Sequence, residues 1–166
     1  MATVTLKGKK ITTFGELPEV GSNAPNFKLT AIDLSSKSLH DYMGTRLILN
    51  VFPSVDTGTC AQSVRTFNQK ATQLNNTKVL CISKDLPFAL ERFGAAEGIN
   101  NVESLSDYRD GNFGKSYGLT FVDGPLEALH SRCVIVLDED AKVLYTEQVK
   151  EISEEPNYDA ALESLS

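Results

Sequence analysis

Cys60 is the residue best placed to do chemistry. It follows Thr57-Gly58-Thr59, between the apolar run Leu47-Ile48-Leu49-Asn50-Val51-Phe52 and a stretch in which Ala61, Val64, Phe67, Ala71 and Leu74 recur at spacings of three and four. That spacing is the period of one helix face. Cys60 is therefore expected in the first turn of a helix that follows a buried strand, at the carboxyl end of the sheet, where open α/β sheets hold their ligand crevices. A helix N-terminus offers free amides and the positive end of its dipole, which favours a thiolate and hence a nucleophile. Position alone also allows a buried, inert thiol, because free cysteine is among the most buried residue types.

The segment Pro53 to Cys60 has the form P-x-x-x-T-x-x-C. The Thr57 hydroxyl can accept and donate near the sulfur, and Pro53 can shield it from water. Disulfide exchange through C-x-x-C is excluded, since Thr57 stands where the second cysteine would be. Cys81, between Leu80 and Ile82 in a second apolar run, is expected to be core filler, because burial raises a thiol pKa and removes access. Three widely spaced cysteines suit neither a disulfide framework nor a zinc site. His40 and His130 lack metal-ligand spacing and are expected at the surface or in supporting roles. Gly111, Gly114 and Gly118 form no phosphate loop, since no G-K-[ST] follows a strand there. The acidic stretch Glu151, Glu154, Glu155, Asp159, Glu163 reads as a solvated face. No metal and no cofactor is expected.

The elements that must position Cys60 form a βαβ unit: the Leu47–Phe52 strand at the expected centre of the sheet, the helix, then Val79 to Ile82. Such a unit makes the sheet at least partly parallel. Thr3 to Leu6 and Ile11 to Phe14 read as an N-terminal hairpin around Gly8, and Phe27 with Leu29 as a half-buried strand before a polar turn, Asp33 to Ser38. Pro87 to Phe93 reads as a helix, Val102 to Ser106 as a weak strand, and Asn112 to Tyr117 as a short helix closed by Gly118. Arg132 to Leu137 and Lys142 to Val149 read as an antiparallel hairpin. Ser153 to Leu165 reads as a terminal helix with an acidic first turn. The class is α/β, a mixed central sheet flanked by helices, in one domain over residues 1–166.

Composition narrows the function. A formal charge of −6 repels phosphate backbones, so no nucleic-acid partner is expected. No apolar run approaches the ~20 residues needed to span a bilayer, and the first ten residues lack a signal-peptide apolar region. A soluble, cytoplasmic protein is expected.

Pro53 to Cys60 resembles the active-site motif of peroxiredoxins. Longer stretches resemble their thiol peroxidase subfamily: Asn50 to Gly58, Val79 to Ser83 followed by Asp85 to Phe88, Ala96-Glu97-Gly98 with Asn100 to Val102, and Asp123 to Leu126. The likeness covers effectively the whole chain. It implies a thioredoxin-like fold and a Cys60 thiolate that attacks the O–O bond of hydrogen peroxide or an organic hydroperoxide, becoming sulfenic acid. It implies Thr57 as hydroxyl partner, Pro53 as shield, and Arg132, from a distant strand, as the guanidinium beside the sulfur. Read without the resemblance, Arg132 would be a solvated strand-end charge. With Arg132 facing Cys60, alternation along the strand turns Cys133 away, into the core. The implied partners are thioredoxin or a small thiol as reductant and a second copy in a homodimer, and the implied role is antioxidant defence. One position departs from the pattern. The subfamily's resolving cysteine falls in Arg-Phe-Cys-x-x-Glu-Gly, and this chain has Gly94 there, which opens the alternative of a peroxide-reactive sensor that is not recycled.

Overall fold

The computed structural model describes residues 1–166. Strands β1 (Thr3–Leu6) and β2 (Lys9–Thr12) pair antiparallel around Lys7-Gly8. Both turn residues have positive φ, 50° and 80°, as the twist of a tight hairpin demands. The second strand therefore starts at Lys9, directly after the turn, rather than at Ile11. Val4 and Ile11 bury against Phe121 and Ile152, and Thr5 exchanges backbone hydrogen bonds with Lys150 and Ile152.

The other strands are β3 (Lys28–Ala31), β4 (Ser36–Ser38), β5 (Arg46–Val51), β6 (Thr77–Ser83), β7 (Glu103–Ser106), β8 (Cys133–Leu137) and β9 (Val143–Gln148). They form one sheet in the order β4-β3-β7-β6-β5-β8-β9. β5, β6 and β7 run parallel and the remaining pairs are antiparallel. Helices α1 (Gly58–Ala71) and α2 (Pro87–Glu97) make the crossovers, and α3 (Asn112–Ser116) and α4 (Tyr158–Glu163) follow. The expected mixed sheet with an N-terminal hairpin is present. The middle strand of the seven is β6, with β5 beside it, flanked by β6 and β8.

Alternation along β5 divides the core. Leu47, Leu49 and Val51 face a layer with Phe27, Phe113 and Cys133, while Ile48 faces the layer under α1 with Val64, Cys60 and Cys81. Both faces are covered, which explains the unbroken apolar run.

Two expectations need correction. Within the polar turn Asp33 to Ser38, residues Ser36–Ser38 pair with β3 as a three-residue edge strand, and short polar edges carry no alternation to read. The terminal helix starts at Tyr158, not Ser153. Pro156 biases Glu155 away from the helical region, and Asn157 caps the helix by accepting from the Ala160 amide at 3.0 Å. Glu154 and Glu155 thus lie in the preceding loop, and Asp159 alone is acidic in the first turn.

Of the two places expected for His130, surface or supporting, it takes the second: it is fully buried. Its ring lies 2.9 Å from Asp107, which also accepts the Phe113 and Gly114 amides, and 3.2 Å from the Thr120 hydroxyl. A Cβ on Gly114 would overlap that hydroxyl and the imidazole. Gly114→Ala should therefore lower stability by about 1–3 kcal/mol, the usual range for overpacking, measurable as a fall in Tm; an unchanged Tm would mean that the loop yields freely. No helix of the chain is long and apolar enough to cross a membrane.

Candidate active site

The loop leaving β5 turns at buried Pro53 and enters α1 through Thr57, the N-cap, in extended conformation (φ −102°, ψ 147°). Cys60 is the third helical residue. Backbone amides in a first turn have no partner within the helix. The first turn of α1 contains no acidic residue, and the Thr57 side chain makes no capping hydrogen bond, so nothing else neutralises the positive end of the dipole there.

Strand β8 runs beside β5 with Val51 opposite Cys133, which sets Arg132, one residue ahead, at the same end of the sheet as the start of α1. Arg132 is 2% exposed and Cys60 0%. The guanidinium Nη2 donates to Cys60 Sγ at 3.3 Å and Nε donates to the Ile152 carbonyl at 2.8 Å. Nη1 is buried with no partner. None of the four ion pairs in the chain involves Arg132. A buried cation without an anion is costly, and the Cys60 sulfur is the group in contact that can carry the compensating negative charge. The arrangement can hold a thiolate and still present one free donor, Nη1, to an oxygen approaching the sulfur.

Pro53 is buried at the strand end. The Thr57 hydroxyl is exposed and donates to the Ser54 carbonyl at 3.1 Å, so it does not bond the sulfur as expected of a hydroxyl partner. A local turn claims it, because the N-cap geometry brings it back over residue 54. Two further contacts hold the site: Ile152 fixes Arg132 through its carbonyl, and the Thr59 hydroxyl donates to the Ser153 carbonyl at 3.0 Å. Main-chain acceptors carry no residue-type signal, so neither could be found in the sequence. Asp85, two residues after β6, also holds the loop through Ser54 and Val55, and the P-x-x-x-T-x-x-C motif does not include it.

All three cysteines are free and buried. Burial pushes the Cys81 and Cys133 thiols up to about 12, so neither ionises near neutrality. Cys133 lies in the core layer opposite Cys60, and Cys81 lies beneath α1 in the same layer as Cys60. Gly94 sits in the body of α2, lining an open cleft of about 800 Å³ by the first residues of β6 and β7. No three His, Cys, Asp or Glu side chains converge as a metal site.

The model of the Redoxin family matches residues 19–162. The thiol peroxidase of Corynebacterium glutamicum is 53% identical over 166 residues, covering 100% of both chains. That of Mycobacterium tuberculosis is 53% identical over 165 residues, 99% of each. Among solved structures, a peroxiredoxin-like protein from Aquifex aeolicus superposes with a TM-score of 0.94 at 34% identity, covering 99% of this chain and 96% of that one. The thiol peroxidase from Chromobacterium violaceum shares the fold at a TM-score of 0.92 and 23% identity, with coverage of 99% and 96%. A sulfur set at a helix start against a buried, otherwise unpaired arginine thus sits in a thioredoxin-like frame, and the chain belongs to the Redoxin family, grouping with its thiol peroxidases.

Proposed function

We propose that this single-domain chain is a thiol-dependent peroxidase whose nucleophile is Cys60. The observation that carries the reading is the 3.3 Å contact between Cys60 Sγ and an Arg132 guanidinium that no carboxylate neutralises. The thiolate attacks the distal oxygen of a hydroperoxide. The O–O bond breaks, the sulfur becomes sulfenic acid, and the departing oxygen takes a proton to leave as water or an alcohol. Arg132 Nη1, buried and unpartnered, is free to donate to the peroxide oxygens as negative charge moves onto them. Pro53 keeps the thiolate out of bulk water, and Thr57, with its hydroxyl on the Ser54 carbonyl, fixes the turn that enters the helix carrying it.

A second thiol then attacks the sulfenic acid, releasing water and leaving a mixed disulfide that another thiol reduces. Thioredoxin or a small thiol supplies these electrons, in the cytoplasm, to a protein acting in antioxidant defence as a homodimer. Gly94 favours a second reading, a peroxide-reactive sensor that oxidises without efficient recycling, since a glycine cannot condense with the sulfenic acid. Stopped-flow oxidation followed by turnover with a thioredoxin system separates them. Rapid oxidation with sustained peroxide consumption is expected of the peroxidase. A single rapid turnover with no steady state would favour the sensor, and no oxidation at all would overturn both.

A further inference from the structure

We propose that Asp85 is a positioning residue that holds the Pro53–Thr57 loop in the geometry the Cys60 reaction needs, an inference that rests on the peroxidase reading. Asp85 follows β6 and precedes α2, and its carboxylate reaches across to the loop. Oδ1 accepts from the Ser54 hydroxyl at 2.7 Å, and Oδ2 accepts from the Val55 amide at 2.9 Å and the Ser83 hydroxyl at 2.6 Å. The grip extends further through Ser54. Its Oγ accepts from the Asp56 amide at 3.1 Å, and its carbonyl accepts from both the Thr57 amide at 3.2 Å and the Thr57 hydroxyl. One carboxylate therefore organises every residue from Ser54 to Thr57, and through Thr57 the first turn of α1.

Asp85 is itself anchored. Its amide donates to the Ser83 hydroxyl, and its carbonyl accepts from the Ser106 hydroxyl on β7. The loop is thus referenced to two parallel strands, β6 and β7, as well as to its own neighbours in sequence. Hydrogen bonds to an ionised acceptor are about twice as strong as neutral ones, and only a fork of two oxygens can take Ser54 and Val55 separately. The second link between loop and α2, Arg92 to Asp56 at 3.3 Å, is exposed at both ends and holds little. Val55, whose amide Asp85 grips, is buried in the same layer as Phe52 and Cys60. Cys60 is wholly covered in this arrangement, so the staple both fixes the walls around the sulfur and restricts access to it.

The two effects have opposite signs, and that makes the test sharp. Misplacing a reacting group by 1 Å can cost about 100-fold in rate, so Asp85→Ala should slow oxidation of Cys60 by hydrogen peroxide by about ten- to a hundredfold. The same variant should accelerate alkylation of Cys60 by iodoacetamide, which needs access but no peroxide pocket. Asp85→Asn keeps one acceptor oxygen and should recover part of the peroxide rate. Ser54→Ala should reproduce the loss and add nothing when combined with Asp85→Ala, and Ser83→Ala, which loosens the Asp85 anchor, should cost a smaller part of the rate, whereas Arg92→Ala, which removes only the exposed link to Asp56, should leave the rate near that of the unmodified protein.

An unchanged peroxide rate in Asp85→Ala would overturn the proposal. So would peroxide and alkylation rates that move together, which would report ionisation or simple gating instead, or an Arg92→Ala loss as large as that of Ser54→Ala. Hydrogen exchange at the Val55 amide reads the staple without peroxide chemistry. If the unmodified protein failed to consume peroxide, the peroxidase reading would fall and with it the catalytic purpose of the staple, while faster Val55 exchange in Asp85→Ala would still show the staple itself.

Discussion

Arg132→Met should slow the first oxidation of Cys60 by roughly 100- to 1,000-fold, the range that follows from removing one transition-state donor worth about 2.7–4 kcal/mol. The deficit should persist above the pH at which the variant thiol is fully ionised, because Arg132 reaches the sulfur with Nη2 and keeps Nη1 unpartnered. Stopped-flow oxidation across pH separates the two contributions, and full recovery at alkaline pH would mean that Arg132 only tunes ionisation. The fold should survive. Met keeps much of the packing volume but leaves the buried Ile152 carbonyl without its donor, which costs about 1–3 kcal/mol, so a folded protein with a modestly lowered Tm is the expected control. Cys60→Ser should abolish peroxide consumption outright. Ser replacements at Cys81 or Cys133 should leave the first oxidation intact, since those thiols are pushed up to about 12 and contribute no thiolate at neutral pH.

Oxidised protein should contain no intramolecular disulfide. After one equivalent of peroxide, intact mass should show the gain of one oxygen, or a thiol adduct where a small thiol is present, rather than the loss of two hydrogens. Excess peroxide should drive Cys60 on to sulfinic acid, which most proteins cannot reverse. Gly94→Cys should restore the disulfide and raise turnover with thioredoxin. The backbone accommodates it, because a Cβ at position 94 meets only the Ile99 carbonyl, at an ordinary 3.8 Å. At about 1.5 Å per residue, position 94 lies about 10 Å down α2 from Pro87, while Cys60 sits at the carboxyl end of β5. Bonding thus requires α2 to unwind or shift. Gly94→Ala is the control: it should stabilise α2 by up to about 1 kcal/mol and leave turnover unchanged. A mapped Cys60–Cys81 or Cys60–Cys133 bond would overturn the expectation and name a substitute.

The elements that carry Cys60 were readable because each has its own period. Leu47 to Phe52 is apolar without interruption because β5 is covered on both faces, and Ala61, Val64 and Phe67 repeat because α1 lies over the sheet. Arg132 was readable only by resemblance. Its neighbours predict an exposed strand end, and nothing local announces that β8 will lie beside β5. Edge strand β4 has three polar residues and no pattern at all. The acidic residues from Glu151 onward read as a helix start, but Pro156 is the stronger constraint on backbone, and the helix begins after it. Asp85 lies within a segment that carries the resemblance, but its role is not legible there, since it depends on tertiary proximity to Ser54. The Thr57 hydroxyl goes to the Ser54 carbonyl, a main-chain acceptor that no residue type announces.

The antiparallel docking of β8 against β5 has a consequence in time as well as in space. Cys60 and Arg132 are 72 positions apart, and β5 pairs with β6 locally but with β8 only across most of the chain. Non-local strand pairing of this kind is the slow part of folding. At synthesis rates of about 5–20 residues per second, roughly 4–14 s pass between the emergence of Cys60 and that of Arg132. During that interval the βαβ unit can form, but the guanidinium that completes the site has not been made. Reactivity is thus conferred late, after the βαβ unit that carries the sulfur and only with the docking of β8.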